Sequence, residues 1–144
     1  MFTKLEKEHI DELHYFLNNL SKEDKKYFNP HSFEKEYLES LLEQKSNYYY
    51  VLIKNNKIIG YSMLRTFNRY EKPTFGGVIH PYYRREGYGS ILLANTIGEA
   101  RNLGYKSVLL TVDKYNKSAI RLYEKFEFLV INEEENKIWM ELIL

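Results

Sequence analysis

The sequence predicts a mixed α/β domain with a mainly antiparallel sheet and helical crossovers in its second half. Three observations carry that prediction. Two amphipathic helical stretches open the chain, three apolar runs of strand length follow without a helix between them, and a helix, a strand, a helix and two strands complete it. At 144 residues the chain has the size of one hydrophobic core, and a single domain over residues 1–144 is expected.

Taken in order, Ile10, Leu13, Leu17 and Leu20 recur at helical spacing and predict a helix over Glu8 to Leu20. The stretch SKEDKKYFNPHSF is polar, holds Pro30 and reads as a turn or loop. Phe33, Tyr37 and Leu41 mark a second helix that ends near Gln44. NYYYVLIK and KIIGYSMLR then read as two strands joined at Asn55-Asn56, a good hairpin turn. PTFGGVIH is a third short strand, with Pro73 outside its hydrogen-bonded interior and Pro81 closing it. A helix follows from about Gly87 to Leu103, stopped by Gly104. After it come the strand KSVLLTV, a short helix from Asn116 to about Phe126, and the strands FLVIN and KIWMELIL around the acidic turn EEEN.

Composition narrows the function. A formal net charge of +1 gives no global basic field, so a nucleic-acid partner is not expected. No apolar run approaches a membrane span, and the early charged residues of MFTKLEKEHIDELHYFL leave no apolar signal core. A cytoplasmic location without membrane association is the expectation. The absence of cysteine removes disulfides, zinc–thiolate sites and cysteine nucleophiles together. His9, His14, His31 and His80 show no ligand spacing, so no metal is expected.

The stretch RREGYGS raises the chemical question. The first turn of a helix leaves up to four backbone N–H groups without partners, and with the helix dipole they favour an anion. Gly87 and Gly89 lack a Cβ and would let a phosphate approach the main chain, with Arg84 and Arg85 adding charge beside it. Two rival phosphate motifs fit poorly. A Walker loop needs Gly-Lys-Ser/Thr at its end, and the dinucleotide pattern needs a third glycine where Leu92 stands. Two glycines at a helix start are by themselves more often a turn than a ligand site.

A second motif alters that balance. NKSAIRLYEKFEF begins 27 residues after Gly89, with Asn116, Ala119, Tyr123 and Phe128 at fixed spacings. Together with VIHPYYR and the R-x-x-G-x-G of Arg84, Gly87 and Gly89, it makes the chain resemble the GCN5-related N-acetyltransferase (GNAT) family, from about Leu5 to the last strand. The resemblance implies an acyl-CoA N-acyltransferase fold: a first strand at Phe2 to Leu5, a mixed, mainly antiparallel sheet of about seven strands, and four flanking helices. It also implies that the strands at Thr74 to His80 and Ser107 to Val112 splay apart around acetyl-CoA.

By the same resemblance, main-chain groups of Gly77, Val78 and Ile79 pair with the pantetheine arm, and a strand N–H near Val78 polarises the carbonyl. Arg84 belongs to the cofactor-binding motif, and backbone N–H groups of Arg85, Glu86, Gly87, Tyr88, Gly89 and Ser90 hold the pyrophosphate. Asn116 hydrogen-bonds the cofactor, and Tyr123 protonates the departing thiolate. The implied reaction is direct transfer of acetyl from acetyl-CoA to a primary amine, with a tetrahedral oxyanion between. The loop YFNPHSF suggests a small polar acceptor such as an amino sugar. A protein or peptide N-acetyltransferase and a non-catalytic acyl-CoA sensor are the alternatives, and a homodimer is left open.

The sequence departs from the family pattern in two ways. Glu127 stands where the glycine before the final aromatic is usual. The branch that acetylates the N-terminus of a ribosomal protein has a glutamate five residues before the asparagine, where Thr111 stands here, and TFGGVIH lacks the glutamate many relatives carry on the fourth strand. His80, His31, Glu71, Asp113 or a water relay are the candidates for taking the amine proton.

Overall fold

The structure is a computed structural model and describes residues 1–67 and 72–144. Seven strands form one sheet in the order β1-β2-β3-β4-β5-β7-β6. They are β1 (Phe2–Lys4), β2 (Asn47–Lys54), β3 (Lys57–Arg65), β4 (Thr74–Ile79), β5 (Ser107–Asp113), β6 (Leu129–Glu133) and β7 (Lys137–Ile143). Every pairing is antiparallel except that of β4 with β5. Among the described residues five α-helices accompany the sheet: α1 (Ile10–Asn18), α2 (Lys22–Tyr27), α3 (Lys35–Leu41), α4 (Tyr88–Asn102) and α5 (Lys117–Lys125).

The extra helix is α2, which corrects the expected count of four. Its start is chemical rather than hydrophobic. The Ser21 hydroxyl accepts the Asp24 N–H at 3.0 Å, Glu23 and Asp24 occupy the first turn, and Lys25 and Lys26 the last. Each of these choices suits a helix end. The segment has no apolar period, so it reads as a loop.

The sheet is filled on both faces. Along β3, Tyr61 and Met63 join the cluster built from Leu13 and Leu17 of α1 and Leu38 of α3. Leu64 points the other way, into the cluster of Leu93 and Ile97 from α4 with Leu110 and Met140. Ser62 shares that second face and hydrogen-bonds Thr96 of α4 at 2.8 Å. This is the two-residue alternation of a central strand with a helical layer on each side. It fixes α4 against β3 and β4, where the cleft described next opens.

Candidate active site

β4 and β5 run parallel and meet at only one register pair, Thr74 with Leu109. The Leu109 N–H donates to the Pro73 carbonyl at 2.9 Å. Beyond that point the strands part around a cleft of about 610 Å³. One wall is β4, the other is β5 with α5, and Leu92 and Leu93 of α4 close the bottom.

Main-chain polarity along β4 follows from three hydrogen bonds. The His80 N–H donates to Ile59 of β3, so His80 faces β3. Pro73 faces β5, as its carbonyl shows, and the Ile79 carbonyl is taken by the Arg84 guanidinium at 3.0 and 3.1 Å. Because N–H and C=O alternate sides residue by residue, Gly77 and Ile79 present theirs to the cleft and Val78 spends its own on β3. That shifts one expectation. A strand donor at the cleft belongs to Gly77 or Ile79, whereas Val78 contributes a buried side chain.

At the cleft's mouth α4 begins. Ile91 makes the first intrahelical bond, to the Gly87 carbonyl, so the N–H groups of Tyr88, Gly89 and Ser90 stand before the ladder without a helical partner. Gly87 has φ +88°, a backbone conformation that L side chains rarely adopt, and a Cβ there would meet nothing within 4 Å. Gly89 differs. Its φ is ordinary for a helix, and an added Cβ would touch only Leu122 Cδ2 at 3.6 Å, a normal contact. Neither backbone strain nor packing explains a glycine at position 89.

The flanking side chains divide. Arg85 is exposed at the mouth, with φ +63°. Arg84 also lines the cleft, but its guanidinium clamps the Ile79 carbonyl and pairs with Asp24 at 2.8 Å. Glu86 is exposed to solvent. The Tyr88 ring turns aside, where its hydroxyl meets the Lys54 ammonium and its edge meets Tyr83.

Across the cleft, Asn116 caps α5, its Oδ1 accepting the Ala119 N–H at 3.4 Å. That leaves the amide Nδ2 to donate elsewhere. Tyr123, one turn and a half along α5, is half-buried in the cleft wall, edge-on to Phe75 at 6.2 Å and against Phe128 at 5.7 Å. Burial pushes its phenol up to about 12. Glu127 takes φ +71°, the value glycine would supply, and the Phe128 N–H closes back on the Tyr123 carbonyl at 3.0 Å. The usual turn is therefore kept, under strain.

Of the candidate bases, Asp113 lines the cleft, with Oδ1 accepting the Tyr115 N–H at 2.8 Å. His80 sits at the end of β4, where its Nδ1 accepts the Tyr82 N–H and its ring packs on Phe16 and Tyr83. His31 lies in a nest of Phe33, Tyr37, Tyr49 and Tyr61, bridging the Ser32 carbonyl and the Tyr61 hydroxyl. Burial holds its imidazole below the ordinary histidine value. Neither histidine is part of the cleft wall. Glu71 lies outside the described residues. The residue that sequence reasoning missed is Asp24, carried into the cleft wall by α2; the S-x-x-D spacing of a capped helix start was its only signal.

The family model "Acetyltransferase (GNAT) family" matches residues 14–128 of the chain. The chain belongs to that family. A "[Ribosomal protein bS18]-alanine N-acetyltransferase" of Haemophilus influenzae is 35% identical over 85 residues, 59% of this chain, and the match spans 57% of that relative's length. A solved GNAT-family acetyltransferase from Streptococcus pneumoniae superposes with TM-score 0.83 at 23% identity, over 100% of this chain and 99% of that one. A "Ribosomal-protein-alanine N-acetyltransferase" from Brucella melitensis superposes with TM-score 0.84 at 17% identity, over 100% and 99% of the two chains. At such identities the two structures speak for the fold, and the GNAT fold with its open seven-stranded sheet is shared with them.

Proposed function

We propose that the protein is an N-acetyltransferase that moves the acetyl group of acetyl-CoA directly to the primary amine of a small polar molecule, such as an amino sugar. The observation that carries the reading is Gly89. It is a glycine that neither φ nor packing requires, at a helix start whose free N–H groups face a cleft between parted strands.

The residues fit the cofactor on several counts. N–H groups of Tyr88, Gly89 and Ser90 would hold the pyrophosphate, with Arg85 adding charge at the mouth. Both main-chain groups of Gly77 and the N–H of Ile79 would pair with the pantetheine arm as a neighbouring strand does. Asn116 Nδ2 would donate a further hydrogen bond. Acetyl-CoA supplies an activated acetyl thioester. Tyr123 keeps its proton on the phenol oxygen at any physiological pH and gives it to the leaving sulfur. A main-chain N–H of Gly77 or Ile79, fixed in the sheet, stabilises charge on the carbonyl oxygen without having to reorganise.

The experiment is a thiol-release assay with acetyl-CoA and three amines: glucosamine, an alanyl tripeptide and 1,4-diaminobutane. Glucosamine is expected to be the best acceptor. Tyr123→Phe is expected to lower kcat about 100-fold while the acetyl-CoA Kd moves less than about threefold. Equal losses in both would reduce Tyr123 to a packing residue, and acetyl-CoA binding without acceleration by any amine would favour a non-catalytic sensor. A second reading, acetylation of a protein N-terminus, is favoured by the identity with the H. influenzae enzyme. The alanyl tripeptide outrunning glucosamine would establish it. Thr111, where a glutamate would stand in that branch, weighs against it.

A further inference from the structure

Gly77 owes its missing side chain to Phe75. A Cβ at Gly77 would stand 2.7 Å from Phe75 Cζ and 3.3 Å from Phe75 Cε2, too close for the ring to stay where it is. No positive φ asks for glycine there. The two residues share one face of β4, so the Phe75 ring folds along its own strand into the place that a side chain at position 77 would fill. The ring is 7% exposed and lines the cleft.

Phe75 also meets Tyr123, edge-on at 6.2 Å. One ring therefore abuts both groups that the mechanism places at the thioester: the residue whose main-chain N–H faces the cleft, and the phenol that protonates the sulfur. The direction of the cleft adds a third relation. The phosphate seat lies beyond the C-terminal end of β4, at the start of α4, and the parted strands close at Thr74 and Leu109, next to Phe75. A pantetheine arm leaving the seat runs toward that closed end, and the acyl chain beyond the thioester runs onto Phe75.

We propose that Phe75 sets the acyl length the protein transfers, its ring closing the inner end of the cleft to a butyryl chain while leaving room for acetyl. The inference rests on the transferase reading and deepens it, because it names the donor class as short acyl thioesters of CoA and the residue that imposes the limit. Rejection is steric. The ring belongs to a buried cluster with Leu93, Leu110 and Met140, and it already lies against the bare main chain of Gly77, so it has little room to yield. Extra methylenes forced against a packed wall are costly, and each can be worth about 10-fold or more in discrimination.

The test uses the full chain, the fastest of the three amines, and the acetyl, propionyl and butyryl thioesters of CoA. The quantity read is kcat/KM for each thioester relative to acetyl-CoA, so that a general loss of activity cancels. In the unaltered chain butyryl-CoA is expected to be at least about 20-fold poorer than acetyl-CoA. A flat series overturns the proposal. Phe75→Leu is expected to raise the butyryl-to-acetyl ratio at least about 10-fold. An unchanged ratio overturns the proposal, because the limit then lies elsewhere. Should Phe75→Leu not fold, Phe75→Met takes its place, a flexible side chain that keeps the core filled yet gives way to the acyl chain, and the same ratio decides in the same way. Failure of the transferase reading looks different: no thioester of any length is consumed with any amine, and this inference falls with it.

Discussion

Replacing Gly89 by alanine pits stability against binding, and the two are predicted to move in opposite directions. The new Cβ would stand 3.6 Å from Leu122 Cδ2, an ordinary van der Waals contact, and the backbone there has no positive φ to strain. The folded state therefore accepts the methyl. Alanine also removes the entropic penalty of glycine within a helix, worth about 0.5–1 kcal/mol. For a chain of this size that corresponds to a melting temperature raised by roughly 2 °C. The same methyl would crowd a pyrophosphate drawn in against the first-turn main chain. Losing one hydrogen bond to a charged oxygen costs about 1.5–3 kcal/mol, or roughly 10- to 100-fold in affinity. Calorimetric melting of the free protein and isothermal titration with acetyl-CoA read the two effects separately. A higher melting point with unchanged affinity would refute the anion-seat reasoning. A lower melting point would show that Gly89 is required by packing after all.

Three further outcomes follow from the same geometry. Burial depresses the His31 imidazole, so below about pH 6.5 the unfolded chain takes up a proton before the folded one does and stability falls as pH falls. Urea midpoints at pH 7.5 and 5.5 should show that loss and should show less of it in His31→Gln; equal slopes would contradict the assignment. Glu127→Gly should relieve the left-handed backbone at φ +71° and stabilise the fold by about 1 kcal/mol, read as a higher urea midpoint, and a lower midpoint would mean that the Glu127 side chain is needed. Because the Tyr123 phenol is pushed up to about 12, its acid form persists far above neutrality, and kcat should show no loss from Tyr123 ionisation between pH 8 and 10. A fall in that window would need to be absent from Tyr123→Phe to be charged to this residue, and that result would contradict its buried state.

What the sequence disclosed and what it hid follow a physical divide. Local rules were sufficient for the hairpin at Asn55-Asn56, both of which adopt positive φ, and for Gly104 and Gly87, which do the same at helix ends. The two motifs place Gly89, Asn116 and Tyr123 in one cleft because α4 and α5 each start at the end of a sheet strand, Gly89 and Asn116 at those starts and Tyr123 further along α5. Non-local relations were not legible. The alternation that turns the Val78 N–H to β3 and the Ile79 carbonyl to Arg84 depends on which strand lies on which side. The withdrawal of His31 from the cleft depends on rings from three other elements or loops. Helix α2 lacks an apolar stripe, and Asp24 is the residue it buries, so its place in the wall emerges from tertiary packing.

Titration of the purified protein with acetyl-CoA tests the central claim most directly, since the seat at the start of α4 and the parted strands exist for that ligand or not at all. The account predicts saturable binding at one molecule per chain, weakened in Gly89→Ala and little changed in Tyr123→Phe. A folded protein that takes up no acetyl-CoA would contradict it.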